Sequence, residues 1–132
     1  MFMNKKMAKK KFVLEYEFKS SPKVLFGFLS SPNGLSDWFA DDVNFSNGVY
    51  TFHWDRESAR ATLVSQKENK LVKFRWLDEG EADYFMELEI LQDELTGDIA
   101  LSVTDFADPE DIREKELIWN NQIENLTRVL GA

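Results

Sequence analysis

The chain has 132 residues, enough for one domain with a sizeable core, and is 43% hydrophobic with 11 Phe and 4 Trp. It contains no cysteine, which excludes a disulfide scaffold and thiolate chemistry and suits a reducing cytoplasm. The net charge is −8, and because residues 1–11 hold five Lys and no acid, residues 12–132 carry 11 basic against 24 acidic side chains, or −13. A body that acidic repels phosphate backbones, which argues against nucleic acid as a partner.

Residues 1–11 read as a flexible basic tail ahead of a single domain, 12–132. They lack the apolar stretch of a secretory signal. No apolar run approaches the roughly 20 residues that span a bilayer. The first strand is residues 12–19, where Phe12, Leu14, Tyr16 and Phe18 share one face and Glu15, Glu17 and Lys19 the other.

All three prolines follow a small capping residue, at Ser21-Pro22, Ser31-Pro32 and Asp108-Pro109. Proline suits the first helical position, and the preceding Ser or Asp can accept a backbone N–H of the first turn. Pro22 therefore opens a helix carrying Val24, Leu25, Phe28 and Leu29. Pro32 opens a second, with Leu35, Trp38 and Phe39 as its apolar side.

Asn47-Gly48 joins strands 43–45 and 49–54 as a tight hairpin, since both residues tolerate positive φ. Strands 58–66 and 70–77 form a second pair through Lys67-Glu68-Asn69. After a turn at residues 78–81, strands 84–91 and 98–104 pair around Thr96-Gly97. Seven strands in mostly sequential hairpins predict a strongly bent antiparallel sheet, apolar on one side. The inward face of residues 49–54 is open: Phe52 and Trp54, or Val49, Thr51 and His53. Lys73 and Arg75 are expected to pair with Glu87 and Glu89 across strands on the convex, wet face.

The final helix spans 109–130, roughly 33 Å. Ile112, Trp119, Ile123, Leu126 and Leu130 form its stripe, Glu116 interrupts it, and Leu117 and Ile118 widen it. Gly131 is placed to stop it. Nine-residue strands reach about 30 Å, so one helix can lie across the sheet's apolar face.

This order resembles the START-like (SRPBCC, birch-pollen-allergen-like) superfamily, nearest the branch related to the activator of the heat-shock ATPase. The resemblance rests on Ser21-Pro22-Lys23-Val24 followed by Phe28-Leu29-Ser30-Ser31-Pro32, on Leu35-Ser36-Asp37-Trp38-Phe39, and on Trp119, Ile123, Leu126 and Leu130. It covers about residues 12–130. It implies an α+β helix-grip fold: a seven-stranded curved antiparallel sheet around a long C-terminal helix, with two short helices between the first two strands.

It also implies space between sheet and helix for a small hydrophobic molecule. The candidate lining is Trp38, Phe39, Phe52, Trp54, Phe74, Trp76, Tyr84, Met86, Trp119 and Ile123. Two readings stay open: the rings fill the gap, or they enclose a pocket smaller than a sterol. In relatives the loops around Gly80 and before the long helix frame the entrance. Asp78, Glu79, Glu81, Asp83, Asp105 and Asp108 would then ring it, favouring neutral or cationic molecules.

A protein-interaction, co-chaperone-like module is the alternative, by fold analogy. A cyclase- or hydrolase-type enzyme is the third reading and has only His53, Asp55 and Tyr84 to draw on. The polar pocket residues of catalytic relatives have no recognisable counterparts, so no catalysis is expected. No cofactor is implied. A lone histidine makes no usual metal site, and Asp41-Asp42 reads as a solvated loop pair. The oligomeric state is open.

Overall fold

Ser21 and Ser31 punctuate the first third of the molecule as their position before proline demands. In the computed structural model, which describes residues 8–131, the Ser21 hydroxyl accepts the Val24 N–H at 3.1 Å, and the Ser31 hydroxyl accepts the Gly34 N–H at 3.0 Å. These caps start α1 (Pro22–Ser30) and α2 (Pro32–Ser36). The buried face of α1 is Leu25, Phe26 and Leu29, and Val24 is exposed. The second helix ends at Ser36, shorter than expected, so Trp38 and Phe39 stand in the turn that follows. Both are nonetheless buried. The Trp38 indole donates to the Phe28 carbonyl at 2.8 Å and fastens that turn to α1.

Around these helices run β1 (Lys10–Phe18), β2 (Asp42–Ser46), β3 (Val49–His53), β4 (Ser58–Lys67), β5 (Leu71–Trp76), β6 (Phe85–Gln92) and β7 (Ile99–Ala107). They form one antiparallel sheet in the order β1-β7-β6-β5-β4-β3-β2. Asn47 (φ 52°) and Gly48 (φ 79°) make the β2–β3 turn, the conformation that suits Asn-Gly. Tyr50 and Phe52 point inward on β3, which resolves the face left open by the sequence. A register shift between Leu63 and Ser65 in β4 is the irregularity that bends a strand.

The first and last strands meet. β1 begins at Lys10, so part of the expected tail is strand; residues 1–7 of that tail lie outside the described residues. Its partner β7 runs three residues past the expected end. All nine residues of each pair, from Lys10 opposite Ala107 to Phe18 opposite Ile99.

Asp108 does not cap. Its side chain makes no bond to the following turn, its Oδ1 is buried with no hydrogen-bond partner among the described residues, and a short 3₁₀ turn (Pro109–Asp111) precedes α3 (Ile112–Leu130). Trp119, Ile123 and Leu126 are the buried stripe of α3, with Ile112 and Leu130 half-buried beside it. Leu117 and Ile118 do not widen that stripe: they are 57% and 44% exposed. Gly131, at φ 73°, stops the helix as its position suggests.

The convex face is charged, with partners other than those expected. Lys73 lies opposite Glu87, yet its ammonium sits 4.1 Å from the centre of the Phe85 ring. Arg75 pairs with Asp83 at 3.0 Å and Glu89 with Lys70 at 3.4 Å. Longer side chains reach diagonally, and each such exposed pair is worth only about 0–1 kcal/mol.

The two short helices cross so tightly that a Cβ added to Gly34 would lie 2.7 Å from the Phe28 Cα, whereas one added to Gly27 meets nothing within 4 Å. Gly34→Ala should cost about 1–3 kcal/mol through backbone displacement. Gly27→Ala should stabilise by roughly 0.5–1 kcal/mol through helix propensity. Urea denaturation of the two variants checks this pair, and equal effects would contradict the close crossing.

Candidate functional site

One end of the sheet is left open. There the first residues of β4 and β6 and the last of β3, β5 and β7 stand beside the first half of α3, and α1 lies against β5 and β6 elsewhere. Between them is a cavity of about 420 Å³. Phe39, from the turn after α2, forms part of its wall, with Trp54 just past β3, Trp76 at the end of β5, Tyr84 ahead of β6 and Trp119 on α3. Lys115, Ile118 and Gln122 complete the helix side, and Ala59 completes the β4 side.

Five of the ten residues proposed from the sequence therefore line this cavity: Phe39, Trp54, Trp76, Tyr84 and Trp119. Phe52, Phe74, Met86 and Ile123 are packed in the core beyond it, and Trp38 borders a second, more polar depression on the far side of Phe39. The core rings form a continuous cluster. Phe52 meets Phe39 edge-on at 5.2 Å and Phe74 at 5.9 Å, and Trp119 contacts Phe39 at 5.4 Å. The rings thus fill the centre of the grip and leave space at its open end.

The wall is held by hydrogen bonds that sequence reading did not anticipate. The Phe39 carbonyl accepts two side-chain donors, the Trp54 indole at 2.9 Å and the Gln122 amide at 2.7 Å. One backbone group thereby ties the α2 turn to both sheet and helix.

Asp105 corrects the expected acidic rim. It lies not in a loop but in β7, on the same face as Val103 and Ala107, and is 3% exposed. It is the one buried charged residue among those described. Its Oδ2 accepts the Trp119 indole N–H at 2.9 Å, and its Oδ1 accepts the Phe106 amide at 2.8 Å. Burial pushes this carboxyl up from its ordinary value of 3.8. The Lys115 charge and the donors of Trp119, Phe106 and Trp76 pull it back without cancelling the rise.

The rest of the rim is paired rather than bare. Lys9 bonds Glu79 at 2.8 Å, and its backbone N–H donates to the Tyr84 hydroxyl at 2.8 Å. Arg60 grips Asp78 at 2.8 Å, which holds that carboxyl below the usual range. Asp83 is committed to Arg75, and neither Glu81 nor Asp108 borders the cavity.

The three residues available for catalysis do not converge. Tyr84 lines the cavity, but His53 faces outward, 3.1 Å from Asn44, and Asp55 is exposed in the turn after Trp54. Asp41 and Asp42 are likewise exposed. A partial signal existed: the alternation Ile99, Leu101, Val103, carried on to 105, puts Asp105 on their face without showing that the face is covered there, and residue 115 lies one turn before Trp119.

Because the folded chain holds the Asp105 proton to higher pH than the unfolded chain does, this group's contribution to stability is full below about pH 4 and falls as pH rises. Lys115 on α3 and the paired charges of Lys9, Glu79, Arg60 and Asp78 share the cavity, so the readout is a difference. The stability of the wild type relative to Asp105→Asn should decline as pH rises above about 4 in urea denaturation. A flat or rising difference would contradict the buried, proton-holding state.

Residues 6–132 match the family model of the START-like superfamily domain. No curated protein sequence matches the chain. A Bacteroides fragilis protein solved in solution is 33% identical with a TM-score of 0.63, over 93% of this chain and 92% of that one. The fold also matches the Aha1 dimer of Colwellia psychrerythraea, with a TM-score of 0.78 at 13% identity over 92% and 96%. CalU16 of Micromonospora echinospora gives 0.69 at 14% over 92% and 76%. Helix-grip architecture and the match over nearly all of its length together show that this chain belongs to the START-like superfamily.

Proposed function

We propose that the protein binds a small, largely apolar molecule in the open end of the grip, without chemical transformation. The observation that carries this reading is the cavity of about 420 Å³ walled by Phe39, Trp54, Trp76, Tyr84 and Trp119. Binding pockets for small molecules are concave, mostly apolar and furnished with a few polar groups; here Asp105, Lys115 and Gln122 stand among the rings, with Glu57, Ser58 and the paired charges of Lys9, Glu79, Arg60 and Asp78 also at the cavity. The volume is near the lower end of ligand pockets, about 300–1,000 Å³, and suits a compact body of up to about four fused rings rather than a long lipid.

The separation of His53 and Asp55 from Tyr84 favours binding over catalysis. A general acid or base needs a partner within hydrogen-bond reach of the reacting atom, and these three offer none to one another. The likeness to Aha1 is one of fold at 13% identity, so a co-chaperone role has no residue-level support.

Ala59 sits on the inner face of β4, opposite Phe52 in register and at the cavity wall. Ala59→Trp should fill the space. Nile red, a neutral apolar dye, should bind the wild type with a rise in fluorescence, and this variant about tenfold more weakly. Its melting temperature should be unchanged or higher, because an inserted side chain that occupies empty volume need not displace its neighbours. Undiminished dye uptake by the folded variant would overturn the cavity as the binding site.

A second substitution separates wall from filler. Trp119 is 1% exposed and contacts Trp38, Phe39 and Asp105. Trp119→Ala should cost about 3–5 kcal/mol. A loss well under that, together with greater dye uptake, would mean that the ring borders open space on most of its surface.

A further inference from the structure

We propose that the ligand is a lipophilic amine, bound as its ammonium ion, with the charge against Asp105 and the apolar body between the rings. This assignment rests on the cavity reading above and specifies its chemistry.

Three observations converge. The first is the company Asp105 keeps. Its two oxygens accept N–H bonds from Trp119 and from the Phe106 backbone, the Trp76 indole also acts on it, and the one cation that does so, Lys115, acts from a distance: no ion pair within 4 Å reaches it among the described residues. A carboxylate oxygen has more than one lone-pair site, so acceptor capacity remains, and Asp105 borders the cavity. A buried carboxylate without a counter-ion is costly, and a cation brought in by a ligand removes that cost.

The second is the wall. Trp54, Trp76 and Tyr84 place aromatic rings around the same space, and ring faces attract organic cations, more strongly where water is excluded.

The third is the balance of charge. Lys9 and Arg60 are spent on Glu79 and Asp78. Of the remaining charged groups at the cavity, Glu57 and Asp105 stand against Lys115 alone. A monocation balances that set, whereas an anion would increase its excess. The net charge of −8 draws cations toward the molecule as a whole. Lys115 is the one opposing group. It borders the cavity with no ion pair among the described residues, so removing its charge should favour the cation further.

Burial raises the Asp105 carboxyl in the unliganded protein, so docking an ammonium against it should release a proton. That release distinguishes a charge pair from simple apolar binding.

The test uses three probes with one ring system: 2-(1-naphthyl)ethylammonium, 2-(1-naphthyl)ethanol and 1-naphthylacetate, titrated calorimetrically into the full chain in two buffers of different ionisation enthalpy. At about pH 6 the ammonium should bind at least about tenfold more tightly than the alcohol, the acetate should bind most weakly, and the proton release that accompanies the ammonium should diminish as pH is raised from about 5 to about 8. In Asp105→Asn the ammonium and alcohol should come within about twofold of each other. If that variant fails to fold, Lys115→Gln carries the test, and there the ammonium should gain about threefold or more.

Equal binding of ammonium and alcohol would overturn the amine assignment and leave the cavity reading standing. Tightest binding by the acetate would overturn it in favour of Lys115 as the recognition group. Failure of all three probes while Nile red is still taken up would also overturn it. Loss of Nile red uptake as well would remove the cavity reading itself.

Discussion

A single indole joins the three parts of this molecule. Trp119 lies at the middle of the buried stripe of α3, hydrogen-bonds Asp105 on the inner face of β7, and packs against Trp38 and Phe39 in the turn after α2. A straight helix and a bent sheet cannot touch along their whole length. Where the contact is good, Ile123 and Leu126 complete a packed core with Leu25, Leu29 and Phe52. Where the sheet curves away, Trp119 reaches both surfaces and forms part of the cavity wall. The hydrogen bond sets the height of that boundary, because a buried indole N–H and a buried carboxyl each need a partner.

That constraint explains the polar groups at an otherwise apolar site. Asp105 would be a costly residue to place on the inner face of a strand were its oxygens not met by Trp119 and Phe106. Phe39 belongs to the wall because its carbonyl accepts from both Trp54 and Gln122, which binds a loop to rigid elements on two sides. The outer lip is made the same way. Lys9 and Arg60 tie Glu79 and Asp78, so the segment between β5 and β6 is anchored to the start of β1 and to β4. A preorganised site of this kind loses little conformational freedom when it binds, which favours recognition by shape and charge.

The architecture follows from pairing at long range as much as from hairpins. Five of the six strand pairs join neighbours in the sequence, and local turns such as Asn47-Gly48 set them. The sixth brings β1 to β7 across nearly the whole chain and extends both strands beyond their locally evident ends. Of those extra residues Asp105 and Phe106 border the candidate site, as does Lys9, just ahead of β1. The part of the sheet least visible to local pattern therefore supplies the residue on which the ligand chemistry turns.

Local physics was enough to read much of the chain. Proline after serine places α1 and α2, period-two alternation places the strands, and the spacing of Trp119, Ile123, Leu126 and Leu130 places the long helix and its inward face. Each of these is decided by neighbours within a few residues. The helix-grip order followed from them, as did the aromatic character of the interior. Tertiary structure alone decided which rings fill the grip and which border its open end, because Phe52 and Trp54 carry the same alternating pattern, yet Phe52 is enclosed in the core and Trp54, just past the end of β3, borders the cavity. It decided likewise that Asp105 is buried and Asp108 is no cap, and that Lys9, Arg60 and Asp83 find partners 8 to 70 residues away. Burial and charge pairing are properties of surfaces brought together by the fold, and no window of sequence contains both sides of such a contact.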